Sequence, residues 1–255
     1  MTYCLAIKVN EGLVFASDSR TNAGVDHVST YSKMHTFIWP GNRYFVLLSS
    51  GNLATTQAVV KRARMEADAG GGLYVVPDMD SAAAYVGRIS TDIQREHRER
   101  ANSDFEATFI LGGQVAGIPP AIFLVYPQGN YIHESAEHPY LQMGETKYGK
   151  PILDRVIRQD TSLELAGRCA LVSINSTIRS NLTVGPPVEL LLYRAGSMGD
   201  ARLLVLSEND PFYRSLNDAW NEGLKQALNG LPRFDWEDEH RMAQYVQEGG
   251  SRPMS

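Results

Sequence analysis

The fold of this 255-residue chain is decided near its amino terminus, by residues 1–20, MTYCLAIKVNEGLVFASDSR. Residues 3–9 and 13–18 are apolar and rich in β-prone side chains, and a short segment that ends in glycine separates them. Two such runs joined in this way predict a β-hairpin. The hairpin returns Asp18, at its end, to the neighbourhood of Thr2.

Beyond the hairpin, the hydrophobic pattern alternates between blocks of strands and pairs of helices. The other predicted strands lie at 34–39, 43–49, 106–115, 120–126, 130–134, 188–194 and 202–207. Helices are predicted over 53–68, from a cap at Asp80 or Ser81, near 147–158, over 162–182 and from Pro211. Strand blocks joined by hairpins favour antiparallel sheets over parallel βαβ units. We therefore predict an α+β fold, a four-layer αββα sandwich of two antiparallel sheets. A single domain should cover residues 1–248, with a loose tail at 249–255.

The composition excludes several classes of protein. Hydrophobic residues make up 43% and charged residues 21%, as in an ordinary soluble globular protein, and the formal net charge of -5 argues against a nucleic-acid partner. Two cysteines without a CxxC motif provide neither a disulfide framework nor a zinc site. No apolar run is long enough to span a membrane, and the first residues lack the features of a signal peptide. We predict a cytoplasmic protein with no metal and no cofactor.

Thr2 is a candidate nucleophile. Initiator methionine is normally excised when a small residue follows, and removal of Met1 would give Thr2 a free α-amine. A hydroxyl is a weak nucleophile without a neighbouring base, and an α-amino group, with an ordinary pKa of about 7.7–8.0, can accept a proton near neutral pH. Processed Thr2 would therefore combine nucleophile and base in one residue.

The same mechanism needs charged and dipolar neighbours. A lysine beside the hydroxyl would stabilise developing negative charge, and a carboxylate would hold that lysine; Lys33 and Asp18 are the candidates. Gly51, at a predicted strand-to-helix turn, is the candidate donor of an oxyanion-binding N–H. Arg20 and Thr21 are candidates for the wall of the substrate pocket. The structural alternatives are a turn residue at a strand end for Asp18 and a surface lysine for Lys33.

These residues carry a resemblance to a known family. Thr2 followed by Asp18, then Lys33, and a strand that ends in SSGN before a long helix resemble the proteasome β-subunit branch of the N-terminal nucleophile hydrolases. The stretches GLVFASDSRTNAG, STYSKMHTF and SSGNLATTQAV resemble the bacterial Anbu family more closely. The resemblance implies the αββα fold, hydrolysis of amide bonds and assembly of the chain with itself into rings or spirals. It also implies the roles proposed above for Thr2, Asp18, Lys33 and Gly51.

The chain departs from the family pattern at supporting positions. In MGETKYGK, Glu145 stands where the family usually has a serine, and a carboxylate there would favour the charged form of the amine. The usual Asp-x-x-Ser-Gly turn corresponds to SNLTVG, in which Ser180, Asn181 and Thr183 are the candidates.

The leading hypothesis is a threonine-type hydrolase of peptide or other amide bonds, which acts on a peptide or amide substrate. One alternative is a ring or spiral assembly protein with little or no activity, and another is a hydrolase of a small amide or an isopeptide. The resemblance further implies ATP-grasp and transglutaminase-like functional partners, because their genes are often neighbours of Anbu genes.

Overall fold

The computed structural model describes residues 2–22, 28–99, 104–234 and 236–237. It divides into two compact units, Met1–Leu216 and Asn217–Ser255. The single domain over 1–248 therefore stays a prediction, and the predicted tail at 249–255 lies outside the described residues. Within the described ranges, no helix combines the length and the apolar character that crossing a membrane requires.

The secondary structure follows the predicted alternation closely. In chain order the strands are β1 (Tyr3–Val9), β2 (Gly12–Asp18), β3 (Arg20–Asn22), β4 (Val28–Thr30), β5 (Met34–Trp39), β6 (Arg43–Gly51), β7 (Ala107–Val115), β8 (Ala121–Val125), β9 (Tyr131–His133), β10 (Tyr140–Gly144), β11 (Val188–Arg194) and β12 (Ala201–Leu206). The α-helices are α1 (Leu53–Asp68), α2 (Met79–Arg98), α3 (Lys150–Val156), α4 (Leu163–Ser180) and α5 (Pro211–Asn229), and a short 3-10 helix covers Gly72–Tyr74.

Two five-stranded antiparallel sheets form the centre of the larger unit. Their strand orders are β10-β1-β2-β11-β12 and β5-β6-β7-β8-β9, and β3 pairs with β4 separately. The predicted amino-terminal hairpin is confirmed, with a register that runs from Cys4 opposite Ser17 to Val9 opposite Gly12. This register returns Asp18 to the start of β1.

Three apolar layers hold the helices and sheets together. Phe45 of β6 packs in one cluster with Val59 of α1 and Val86 of α2. On the first sheet, the outward-facing side chains of β1 and β2 pack with α3 and α4. Phe15 of β2 and Ile110 of β7 belong to a third cluster, between the two sheets. Burial of these side chains favours folding by about 25 cal/mol per Å² of apolar surface. The layers confirm the predicted α+β sandwich of two antiparallel sheets.

The structure corrects several element boundaries. Helix α2 begins at Met79, because Asp78 accepts the Ser81 N–H at 2.7 Å as its N-cap; the predicted caps Asp80 and Ser81 are wrong. Helix α3 is shorter than predicted. Strands β3, β4 and β10 were not expected, since each is short and becomes a strand only through pairing with a distant or neighbouring segment.

Packing between the sheets makes Gly112 a sensitive position. A Cβ atom there would lie 2.6 Å from the Phe15 ring and 2.8 Å from Ile122 Cγ2. We expect Gly112→Ala to lower the free energy of unfolding by about 1–3 kcal/mol, measured by urea denaturation. Phe15→Leu makes room at this contact, so the double variant should be more stable than the sum of the two single effects predicts. Strict additivity would contradict this account of the contact.

Candidate active site

A cleft of about 510 Å³ opens in the larger unit, where β1 begins, β6 and β10 end, and α1 starts. Its lining includes six of the residues predicted from the sequence to form the site: Thr2, Arg20, Thr21, Lys33, Gly51 and Glu145. Segments distant in the sequence thus meet around one volume large enough for the side chains of a peptide.

The best-defined feature of the cleft is an ion pair between Lys33 and Asp18. Lys33 Nζ donates to Asp18 Oδ1 at 2.6 Å and to the Arg20 carbonyl at 2.7 Å. Asp18 also accepts the Tyr3 N–H on Oδ1 at 3.0 Å and the Gly185 N–H on Oδ2 at 3.2 Å. Asp18 is fully buried and Lys33 is 7% exposed, so neither a strand-end turn nor a surface lysine describes these residues. Asp18 holds the ammonium group in place from below the cleft surface.

Thr2 is held by its main chain at the start of β1. Its carbonyl oxygen accepts the Glu145 N–H at 2.8 Å, beside the pairing of Tyr3 with Gly144. Gly144 has φ +85°, and a Cβ atom there would lie 1.8 Å from the Thr2 carbonyl oxygen. This close approach requires glycine. The contact fixes Thr2 beside the cleft; Met1 lies outside the described residues.

The register of β6 determines where the Gly51 N–H points. Asn52 N–H donates to Glu106 O on the side of β7, whereas Ser49 N–H donates to Lys33 O on the side of β5. Because N–H directions alternate along a strand, the register turns the Gly51 N–H away from β7, to the same side as that of Ser49, and Gly51 itself lines the cleft. Gly51 has φ +108°, a conformation that favours glycine.

Glu145 and Lys147 form a weak ion pair at the rim. The Glu145 side chain is 12% exposed, and its Oε2 lies 3.8 Å from Lys147 Nζ. A carboxylate therefore lines the cleft beside Thr2, at the position where the sequence departs from the family pattern.

The other predicted supporting residues do not line the cleft. Asn181 Oδ1 accepts the N–H of Thr183 at 3.0 Å and its hydroxyl at 2.6 Å, so both side chains stabilise the turn after α4. Ser180 is exposed at the end of α4. The residue of this segment that reaches the site is Gly185, through its N–H on Asp18. Sequence reasoning missed Gly185, although a glycine after SNLTV was the available signal.

Arg20 and Thr21 lie on the wall of the cleft, as the sequence predicted for a pocket. Arg20 Nη1 donates to the Leu182 carbonyl at 2.6 Å, which holds the guanidinium against the turn after α4. Among the residues the structure describes, no three His, Cys, Asp or Glu side chains group as a metal site. A reaction without a metal or a cofactor stays a prediction from the sequence.

His35 is a cleft residue that the sequence analysis did not select. Burial, together with the positive charge of Arg64, lowers the pKa of His35 to about 4. The imidazole is therefore neutral at physiological pH and offers the cleft one donor and one acceptor. His35 stands two residues after Lys33, so the sequence places it near the predicted site, but a lone histidine in a predicted strand is more often an ordinary strand residue.

The half-buried His35 should make the free energy of unfolding depend on pH. Between pH about 6.5 and about 4 the unfolded chain protonates this histidine while the folded chain does not, so the free energy of unfolding falls as pH falls through that window. The loss should be at most about 3 kcal/mol. Urea denaturation at several pH values should show that the free energy of unfolding of His35→Gln changes less with pH in this window than that of the unaltered chain. Parallel curves for the variant and the unaltered chain would contradict the assignment.

Comparisons with known proteins agree with the observed fold. The family model described as proteasome subunit matches residues 2–191. Anbu (ancestral beta-subunit) from Yersinia bercovieri is 42% identical, with a TM-score of 0.85, over 91% of this chain and 99% of that one. A Gly-1 mutant of Anbu from a Hyphomicrobium species is 42% identical, with a TM-score of 0.86, over 92% of this chain and 100% of that one.

A third solved structure is the helical assembly of the Anbu complex from Pseudomonas aeruginosa, which is 44% identical. Its TM-score is 0.87, and the match covers 91% of this chain and 98% of that one. A comparison with curated proteins gave no match. Both the family model and the identity over nearly whole chains support one conclusion: the chain belongs to the proteasome subunit family and, within it, to the Anbu group.

Proposed function

We propose that this protein is a threonine-type hydrolase of peptide or other amide bonds, with Thr2 as its nucleophile after removal of Met1. The observation that carries the proposal is the buried Lys33–Asp18 pair, 2.6 Å apart, in the wall of the cleft that Thr2 lines. A buried ion pair costs desolvation energy and often contributes little net stability, so its position at a cleft favours a chemical role.

The proposed reaction proceeds through an ester on Thr2. The Thr2 hydroxyl oxygen attacks the substrate carbonyl carbon while the α-amine takes the hydroxyl proton, directly or through a water molecule. The Gly51 N–H stabilises the negative charge on the carbonyl oxygen, and the Lys33 ammonium group stabilises the charge that develops on the Thr2 oxygen. The C–N bond then breaks, and the leaving amine takes the proton from the α-ammonium. Water, deprotonated by the α-amine, then attacks the ester carbonyl; the bond between the acyl carbon and the Thr2 oxygen breaks, that oxygen takes the proton back from the α-ammonium, and the carboxylic acid is released.

Glu145 affects the pH range in which the proposed base can act. A carboxylate beside the free α-amine would favour its protonated form, which cannot act as a base. Activity should therefore rise toward alkaline pH. This charge at the rim also supports the prediction that catalysis is slower than in family members with a serine there.

A covalent probe tests the nucleophile. We expect mass spectrometry to find purified chain without Met1, labelled on Thr2 by a threonine-directed electrophile such as a peptide epoxyketone. Thr2→Ala should abolish the label, and Lys33→Ala should lower the rate of labelling at least about 100-fold, since the charge on the attacking oxygen loses its partner.

Thr21→Ala is the matched control, because Thr21 is a second threonine in the same cleft. This variant should still be labelled on Thr2. Retention of Met1, or a label that survives Thr2→Ala, would overturn the proposed nucleophile.

A second candidate function is assembly of the chain with itself. The helical assembly formed by the Pseudomonas aeruginosa relative favours it. Edge strand β12 also exposes Leu203, Leu204 and Val205 in succession, and such apolar patches are typical of interaction surfaces. The cytoplasmic location, the ATP-grasp and transglutaminase-like partners, and the small-amide or isopeptide substrate stay predictions.

Sedimentation velocity tests the assembly. The unaltered chain should sediment as an oligomer, and Leu203→Asp should shift it toward a smaller species, because a charge replaces an apolar contact. Leu182→Asp is the control, since Leu182 is 86% exposed and belongs to the turn after α4, not to β12. Thr2→Ala should leave the oligomer unchanged. A monomer under all conditions would remove this candidate function.

A further inference from the structure

A buried carboxylate close to the cleft takes no part in the proposed reaction. Glu189 lies on β11 opposite Ser17 of β2, one residue from the pairing of Val188 with Asp18, and is only 9% exposed. A buried carboxylate costs free energy unless donors compensate it. The contacts of Glu189 therefore need an explanation other than packing.

Two serine hydroxyls donate to the same oxygen of Glu189. Ser17 Oγ lies 3.2 Å and Ser32 Oγ lies 2.9 Å from Glu189 Oε2. Ser32 Oγ also lies 3.0 Å from the Met34 carbonyl oxygen, and it accepts the Met34 N–H at 3.3 Å. A hydroxyl has one hydrogen to donate, and a carboxylate accepts a stronger hydrogen bond than a carbonyl oxygen does. The Ser32 hydroxyl therefore donates to Glu189.

Ser32 belongs to the irregular segment that presents Lys33 to the cleft. Residues 31–33 join β4 to β5, and Tyr31 N–H donates to Ser19 O at 3.0 Å. Tyr31 and Ser32 are exposed, whereas Lys33 is buried. The Lys33 carbonyl accepts the Ser49 N–H at 2.9 Å, which holds its main chain to β6, and the bonds of Tyr31 and Ser32 hold the part of the segment that precedes it.

Cys4 of β1 is a fully buried residue whose thiol senses nearby charges. Burial raises the pKa of the Cys4 thiol, and Lys33, Asp18 and Glu189 all act on it electrostatically. Cys4 lies opposite Ser17 in the hairpin, and Ser17 lies opposite Glu189 in the neighbouring strand pair.

We infer that Glu189 is a positioning residue, whose carboxylate holds residues 31–33 through Ser32 and thereby keeps Lys33 Nζ on Asp18. The importance of this position for catalysis rests on the proposed function, whereas the position itself does not. The competing role is structural: Glu189 would stabilise only the β2–β11 pairing, through Ser17.

The rate at which Lys33 is chemically modified tests the inference without a measurement of enzymatic activity. The Lys33 side chain is 8% exposed, so reductive methylation followed by peptide mass spectrometry should modify it slowly in the unaltered chain. Glu189→Ala and Ser32→Ala should each raise the rate about tenfold, and the double variant should be no faster than either, because both remove one contact. Glu189→Gln, which keeps an acceptor oxygen, should restore part of the protection.

Two controls separate positioning from a general loss of structure. Glu134→Gln removes another largely buried glutamate, 11% exposed and paired with Lys8, and should leave Lys33 protected. Ser17→Ala should also leave Lys33 protected, since it removes only the contact to β2. Ser32 is exposed, so Ser32→Ala should fold even if Glu189→Ala does not.

The rate at which the electrophile labels Thr2 gives the second readout, and it should fall about tenfold in the same variants with the same lack of additivity. Absence of labelling in the unaltered chain would refute the proposed function, while Lys33 protection would still decide the inference. Unchanged protection of Lys33 in Ser32→Ala, or effects that multiply in the double variant, would overturn the positioning role.

Discussion

The ion pair between Lys33 and Asp18 is the interaction on which the rest of the site depends. Two opposite charges withdrawn from water attract each other strongly, but the loss of hydration offsets that gain unless other donors complete the arrangement. Here the N–H groups of Tyr3 and Gly185 complete it, so β1, β2 and the turn before β11 all meet at one carboxylate. Displacement of any of these segments would leave a buried charge without its partners, which makes the arrangement rigid.

The space between the two sheets is apolar in the middle and polar at the end that forms the cleft. In the middle, Phe15 packs against Gly112, and the rings of Tyr44 and Tyr193 stack with centroids 4.8 Å apart. Toward the cleft, serines and charged groups replace these side chains. The apolar part holds the two sheets at a fixed separation, and the polar part can then keep its hydrogen-bond distances, as a preorganised site requires.

Membership in the Anbu group bears on both the proposed hydrolysis and the proposed assembly. The exposed residues Leu203, Leu204 and Val205 of edge strand β12 do not line the cleft, so the proposed assembly surface is separate from the proposed catalytic residues. Glu145 lines the rim, and the Lys33–Asp18 pair keeps its own set of donors. Alteration of the rim can therefore adjust the proposed catalysis without loss of the fold.

The sequence by itself determined the hairpin and the alternation of strands and helices, because apolar period and turn chemistry are local, and it selected Thr2, Asp18, Lys33 and Gly51 as candidates, because their spacing is distinctive. Only the tertiary structure showed that the Gly185 N–H reaches Asp18 and that Glu189 bonds to Ser17, and that Asn181 and Thr183 bond to each other instead. The reason is physical: β11 is far from β2 in the sequence, and hydrogen bonds between distant strands leave no periodic pattern in either strand.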